Sequence, residues 1–313
     1  MGRRVAECIL HGIVAASVVM MLLRVQRIRA PQTRLRFWLL AMGLPLAGTP
    51  LLWLLAPWRM GDRFRDEWAL FSASHYSPWA WHGVELSTAG AWILALAGTL
   101  LFLRDVIPIV LDFARGRGHR TVTELSPALA NAAQRSAAVL GIALPRLTVL
   151  SSKYPILICQ GLRNPVIVAS TGLCEMLAPD ELEAAMAHEM AHAKHRDPAL
   201  GWGLMLVRGL CIFNPAVQLA ARAAVVEIER RADQSAARTV GSTEIVAASL
   251  RKLSGSAAVP AHTARTWYGF RLAAIEERCQ ALLRESRTDA GLAPWILPST
   301  AIGLGVILFL TVA

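Results

Sequence analysis

The chain has 313 residues, 55% of them hydrophobic, with a mean hydropathy of +0.44. That is too apolar for an ordinary soluble protein. The formal charge is +10 and rests on arginine, since only Lys153, Lys194 and Lys252 are lysines; the arginines flank apolar segments and no basic-aromatic nucleic-acid motif occurs, so the charge points to a lipid bilayer and away from nucleic acid.

Val5 to Leu23 is the first apolar run, about long enough for a hydrocarbon core of roughly 30 Å. Arg24 follows at once with no small-residue cleavage site, so the run reads as a span rather than a signal peptide. Glu7 and His11, four residues apart near its start, read as interfacial. Arg24, Arg27, Arg29, Arg34 and Arg36 crowd the next link and assign it to the cytoplasm. Leu35 to Pro57 is the second span, with Pro45 and Pro50 predicted to kink it. Trp58 to Gly83 then lies outside. Its aromatic run, Trp58, Phe64, Trp68, Phe71, Tyr76, Trp79 and Trp81, reads as an interfacial belt. Val84 to Leu103 is the third span, with small residues at Gly90, Ala91, Ala95, Ala97 and Gly98 for close helix packing. Arg104, Arg115, Arg117 and Arg120 return the chain to the cytoplasm.

From Thr121 the pattern changes. Leu125 to Leu140 reads as an amphipathic helix ended by Gly141. Arg146–Leu150, Ile156–Gln160 and Val166–Ser170 are short β-branched runs split by Pro155 and Arg163-Asn164-Pro165, which predict a small, mostly antiparallel sheet. An edge strand of such a sheet can take up a peptide as an added strand. The candidates are 156–160 and 166–170, and the sequence leaves open which is the edge.

Ala185 to Pro198, AMAHEMAHAKHRDP, contains the pattern HExxH. His188 and His192 leave one helical face a turn apart, the spacing for two ligands to one zinc ion. Glu189 lies beside them, placed to take a proton from a metal-activated water. Pro179-Asp180-Glu181 opens the helix and Asp197-Pro198 closes it, so the motif sits on a half-buried helix. A catalytic zinc also needs a third protein ligand. EIERRAD supplies Glu229, 37 residues after His192, with Asp233 four residues on and on the same face. Glu227 competes with Glu229 on spacing alone.

These residues resemble the zinc peptidases whose third ligand is a glutamate followed four residues later by an aspartate. The likeness is strongest to the membrane-bound BlaR/MecR beta-lactam-sensor peptidases, over ELEAAMAHEMAHAKHRDP, Ile212–Pro215 and the Glu–Asp helix. The HtpX and CAAX-prenyl-protease-like membrane peptidases are cousins with the same zinc motifs. The likeness covers roughly Leu147 to Arg284. It implies that His188, His192 and Glu229 are the zinc ligands, Glu189 the general base, and Asp233 an outer partner orienting a ligand histidine. Asp197 matches the Arg-Asp after the motif and reads as structural.

Leu200 to Ala221 is apolar enough to cross the membrane. A single crossing would part Glu229 from the two histidines, so we expect two helices, about 199–213 and 215–237, that dip against the bilayer and return at Asn214-Pro215. Thr243–Leu253 and the amphipathic Phe270–Arg284 read as further helices. Pro294–Val312 is a last span. The five cysteines, Cys8, Cys159, Cys174, Cys211 and Cys279, are scattered and read as reduced packing residues.

The whole reading is an α+β, multi-span helical membrane protein with a zincin-like peptidase domain. Residues 1–113 form a membrane region with spans at about 5–23, 35–57 and 84–103. Residues 114–287 form the peptidase domain with a membrane-dipping hairpin at about 199–221, and 288–313 the final span. The expected function is a zinc-dependent endopeptidase of the bacterial inner membrane acting on protein or peptide substrates from the cytoplasmic side. Its partner could be a repressor or other regulatory protein. The alternatives are HtpX-like quality control of membrane proteins and a non-catalytic scaffold. Candidates for stabilising the oxyanion are Tyr154, Tyr268 and His262. The beta-lactam sensors carry a ligand-binding domain after their last span, and no such domain is expected after Val312, so a beta-lactam receptor role is not expected either.

Overall fold

The computed structural model describes residues 2–69, 80–81, 84–114, 121–122, 125–255, 275–284 and 295–311. The helices are α1 (Gly2–Val25), α2 (Pro31–Gly43), α3 (Thr49–Leu55), α4 (Asp62–Glu67), α5 (Leu86–Ala114), α6 (Pro127–Leu140), α7 (Thr171–Met176), α8 (Pro179–His195), α9 (Asp197–Leu210), α10 (Pro215–Val240), α11 (Thr243–Gly255), α12 (Ile275–Arg284) and α13 (Ile296–Thr311). The strands are β1 (Ala80–Trp81), β2 (Val84–Glu85), β3 (Thr121–Val122), β4 (Arg146–Leu150), β5 (Leu157–Gln160) and β6 (Val166–Ser170). They form two compact units. One comprises Met1–Arg104, Leu204–Ala224 and Asp289–Ala313, the other Asp105–Gly203 and Val225–Thr288.

The first unit holds the apolar helices. Glu7–Val25, Pro31–Leu55 and Ala89–Ile107 are each long and apolar enough to cross a membrane, and α13 adds a shorter apolar stretch, Ile296–Ile307. Between α2 and α3 the chain widens into a π-helix at Leu44–Gly48. Pro45 lies in it, where it can supply no amide hydrogen to a regular turn. The inward faces are closed by Ala15, Val19, Leu35, Phe37 and Met42, while Leu54, Ile93, Leu96 and Trp92 face outward, as helices solvated by lipid require.

Glu7 and His11 are buried within the protein. The Trp53 indole donates to Glu7 at 2.8 Å, and the Arg59 guanidinium stands 3.9 Å from the same carboxylate. Arg59 also donates to the carbonyl of Phe309 at 3.0 Å and stacks against the rings of Phe64 and Phe309. A buried charge is tolerated only when so partnered. In the aromatic run Trp58 and Trp68 are exposed; Phe71, Tyr76 and Trp79 lie outside the described residues.

Residues 197–240 fold as a hairpin of α9 and α10. Its arms are tied by Arg208, which donates to Gln218 at 2.9 Å, and by Gln218, which donates to the carbonyls of Arg208 and Cys211. At the tip Asn214 does two jobs. Its carbonyl oxygen caps α10 through the amides of Ala216 and Val217, and its amide donates to the carbonyl of Cys8 in α1 at 2.7 Å. The tip fits only because α5 carries a glycine there. A Cβ on Gly98 would stand 2.6 Å from the backbone of Phe213. Gly98→Ala is therefore expected to displace the tip and to lower stability by about 1–3 kcal/mol, read as a lower melting temperature in detergent, whereas Gly90→Ala, with open space around it, should change it little.

The second unit surrounds the motif helix. Its sheet has the order β3-β4-β6-β5. The outer pairings are antiparallel and the central one, β4 with β6, is parallel. The sheet is thus mixed: β5 folds back on β6 as a hairpin and lies outside it, which leaves β4 and β6 running the same way. Strand β5 is an edge among the described residues, and β6 is interior. Helix α8 starts with Pro179, and Glu181 reaches back to accept from the amide of Ala178 at 2.9 Å, relieving one unpaired helix-end donor.

Every residue from Ala184 to Ala193 is buried, so the middle of α8, with the motif, is enclosed, while Asp180, Lys194 and His195 at its ends are exposed. One side packs Leu182, Ala185, Met186 and Met190 against α6 and β6 through Leu129, Ala133 and Ile167. The other packs Ala184 and Ala187 against α10, α11 and α12 through Ala236, Val246 and Cys279. Alanines on that second side keep the neighbouring helices close.

Candidate active site

On α8 the Nε2 atoms of His188 and His192 stand 3.1 Å apart. Helix α10 brings Glu229 to them. Its Oε2 is 3.4 Å from His188 Nε2 and its Oε1 3.7 Å from His192 Nε2. All three side chains are buried, and one ligand atom of each lies within 4.8 Å of the others. A tetrahedral zinc with bonds of about 2.0–2.1 Å needs donors about 3.3 Å apart. Two imidazoles and a carboxylate at these separations fit that ion, both in geometry and in donor chemistry.

The far nitrogens are also held. His188 Nδ1 lies 3.0 Å from Asp233 Oδ1, and His192 Nδ1 lies 2.8 Å from Asp197 Oδ2. A carboxylate on Nδ1 fixes the ring and leaves Nε2 for a metal. Asp197, expected as merely structural, thus serves His192 as Asp233 serves His188. The cause is the turn after the motif: Arg196 takes a left-handed conformation, φ 54°, and carries Asp197 back to the histidine. The other oxygen of Asp197 is paired with Arg231.

Asp233 has a second partner. Arg278, on α12, donates to both of its oxygens at 2.8 and 2.6 Å and stands 3.2 Å from Glu229 Oε2. Burial pushes the Asp233 carboxyl up, but the Arg278 charge and the His188 bond outweigh it and hold the pKa at about 2. Burial pushes the His188 imidazolium down, but Asp233 and Glu229 outweigh that and lift it to about 9.

Glu189 lines the same cleft as His188 and Glu229. Its Oε2 accepts the backbone N–H of Cys159, in strand β5, at 2.7 Å. The far wall is apolar, built by Leu157, Val246, Leu250 and Ile275, with Arg278 among the lining residues. Glu227 is buried and lies 3.5 Å from Arg230, outside the His188–His192–Glu229 group. Tyr154 is 52% exposed and does not line the cleft; Tyr268 and His262 lie outside the described residues.

Sequence reasoning singled out neither Arg278 nor Arg231. The available signal was one of placement. Arg278 follows Ile275 by three and precedes Leu282 by four, so it sits on the apolar face of an amphipathic helix, where a charge needs a partner.

The family model described as BlaR1 peptidase M56 matches residues 68–282, more than half of the chain. A Protease HtpX homolog of Moorella thermoacetica is 39% identical over 75 residues, 23% of this chain and 25% of that protein. A Protease HtpX homolog of Thermodesulfovibrio yellowstonii is 34% identical over 84 residues, 26% of this chain and 29% of that protein. Protease HtpX homolog 2 of Methanosarcina acetivorans is 33% identical over 78 residues, 24% of this chain and 26% of that protein. The match thus spans between a quarter and a third of each of these curated relatives. The family match runs across the motif helix, the hairpin and the Glu229 helix together, and with it the chain belongs to the BlaR1 peptidase M56 family.

Proposed function

We propose that this membrane protein is a zinc-dependent endopeptidase. The observation that carries the reading is the convergence of His188, His192 and Glu229 beside Glu189 in one cleft next to strand β5. His188, His192 and Glu229 would hold the ion, which when bound supplies Lewis acidity toward a peptide carbonyl and toward water. Glu189 takes a proton from the attacking water and passes it to the leaving amine. Asp233 and Asp197 hold the imidazoles with Nε2 available. Arg278 keeps the Asp233 carboxylate charged, and Arg231 pairs with Asp197. Strand β5 takes the substrate as an added strand through its outward backbone groups.

The hairpin reading supports a single metal site on one side of the membrane. Trp202, Leu206 and Leu210 form an exposed stripe at i, i+4, i+8 on α9, and Leu219 is exposed on α10. We assign these faces to lipid and the hairpin to a segment that enters the bilayer and returns. The arginines of the Arg24–Arg36 link argue for a cytoplasmic site in a bacterial inner membrane. A regulatory target such as a repressor fits the BlaR1 likeness. The HtpX likeness favours a second reading, quality control of membrane proteins. Both use the same chemistry.

The test is metal content and cleavage of a protein substrate such as casein by the purified protein in detergent. Near-stoichiometric zinc is expected, with cleavage lost on chelation and restored by added zinc. A protein that binds no zinc would overturn the ligand assignment.

The pKa values give this test a pH signature. His188 is protonated in the metal-free protein up to about pH 9, and only the neutral ring binds a metal. Zinc binding at pH 7.5 should therefore release about one proton, and affinity should rise roughly tenfold per pH unit toward pH 9. Titration calorimetry in buffers of different ionisation enthalpy reads both.

A further inference from the structure

The contact between Glu189 and strand β5 has a place in substrate binding. The amide of Ser170 donates to the carbonyl of Ile156 at 2.9 Å, and Ile158 and Gln160 face Val168 and Val166 across the antiparallel pair. Because the ladder alternates, Ile156, Ile158 and Gln160 turn their backbone groups toward β6, whereas Leu157 and Cys159 turn theirs outward. The outward groups at 157 and 159 are the ones an added strand pairs with. The N–H at Cys159 is held by the motif helix. The Cys159 N–H donates to Glu189 Oε2 at 2.7 Å, the short length of a bond to a charged acceptor. Glu189 is only 4% exposed, so little water competes for that contact.

One N–H points well at one acceptor. A polypeptide added along β5 brings a backbone carbonyl to the position that the Glu189 oxygen holds. We propose that the Cys159 amide is a switched donor: it restrains Glu189 at rest, and an incoming extended substrate takes it over and releases the carboxylate toward the reacting bond. The proposal rests on the peptidase reading. Its ligand is an extended peptide segment with a backbone carbonyl opposite Cys159. Water or a small molecule lacking that carbonyl leaves Glu189 restrained. The arrangement ties release of the base to occupation of the edge strand, so that an unoccupied site is held idle.

Two measurements on the full chain in detergent test it. The first is amide hydrogen exchange at Cys159 in the zinc-loaded protein. Exchange is expected to be slow in the parent, about tenfold faster in Glu189→Ala, and slow again when Glu189→Ala binds a casein-derived peptide that it does not cleave. Slow exchange in Glu189→Ala without peptide, or fast exchange with peptide bound, overturns the proposal. The second is Cys159→Pro, which removes the donor at an edge position where proline is tolerated. A switched donor predicts a KM lowered about fivefold with kcat changed less than about twofold, because the substrate no longer displaces the stronger bond to the Glu189 carboxylate and the released base is unaffected. A KM raised about tenfold would mean that the amide serves the substrate without restraining Glu189 at rest, and overturns the proposal. A lower kcat with unchanged KM would mean that the amide holds Glu189 during the reaction, and overturns the proposal. The two failures are distinguishable: a zinc-loaded parent that cleaves no peptide defeats the peptidase reading, while a parent that cleaves but gives either contrary result defeats only the switch.

Discussion

Glu189→Gln should bind zinc as tightly as the parent and hydrolyse protein substrates about 10²–10⁴-fold more slowly, the range for loss of a positioned general base. The separation of the two effects follows from the geometry. Glu189 lines the cleft beside the ligand group but is not one of the three residues whose donor atoms cluster. Glutamine keeps the size and can still pack against β5, but it cannot accept the proton. Metal analysis and cleavage of casein, run side by side on parent and variant, give the answer. Zinc lost together with activity would move Glu189 into the ligand set. Activity kept would remove it from the chemistry and leave the peptidase reading without a base.

Arg278→Leu is expected to be the most damaging change outside the candidate ligands. It removes a buried guanidinium that contacts both Asp233 and Glu229, and leaves Asp233 as a buried carboxylate with His188 but without its arginine. Breaking such a pair from one side costs about 3–5 kcal/mol. The loss continues into the site. Without the arginine charge the Asp233 pKa rises from about 2, and a protonated Asp233 holds the His188 ring less firmly, for an expected 10–100-fold loss of metal affinity. Thermal melting and competition against a chelator measure the two parts. Arg278→Lys keeps the charge without the two-pronged fork and should fall between. In the parent the sign follows from the depressed pKa. The stabilisation from Asp233 in the metal-free protein is complete above the ordinary carboxylate value and is lost as pH falls toward about 2. The leucine variant should show that acid transition reduced and moved to higher pH, because only the His188 contact is left to hold the carboxyl down.

Much of this protein is legible in its sequence because the signals are local. Span lengths follow from runs of apolar residues and arginine-rich links, and three of the four strands of the small sheet follow from β-branched runs punctuated by proline and asparagine. The two histidines and Glu189 fall within five residues on one helix, so helical periodicity alone sets them on adjoining positions. Metal chemistry also carried information across the chain. If one ion is to hold residues 188, 192 and 229, the apolar segment between them must come back to the side it left, and a hairpin of two helices stands there.

What the sequence could not decide depends on groups far apart in the chain or on backbone geometry. Glu227 and Glu229 are equal by spacing, and only the rotation of α10 turns Glu229 to the histidines and Glu227 to Arg230. Asp197 gains its part from a left-handed turn at Arg196, a conformation that an arginine seldom adopts and that composition does not announce. Arg278 lies 45 residues from Asp233 along the chain, and no pattern joins them. The edge position of β5 is a property of strand order, which periodicity cannot contain. The chain itself determined the candidate spans, the HExxH helix and its two histidines, because each is written in residues within a few turns of one another. The tertiary structure decided which carboxylates and guanidinium groups surround those candidate ligands and which strand forms the sheet edge beside them among the described residues, because those depend on long-range packing around the buried middle of α8.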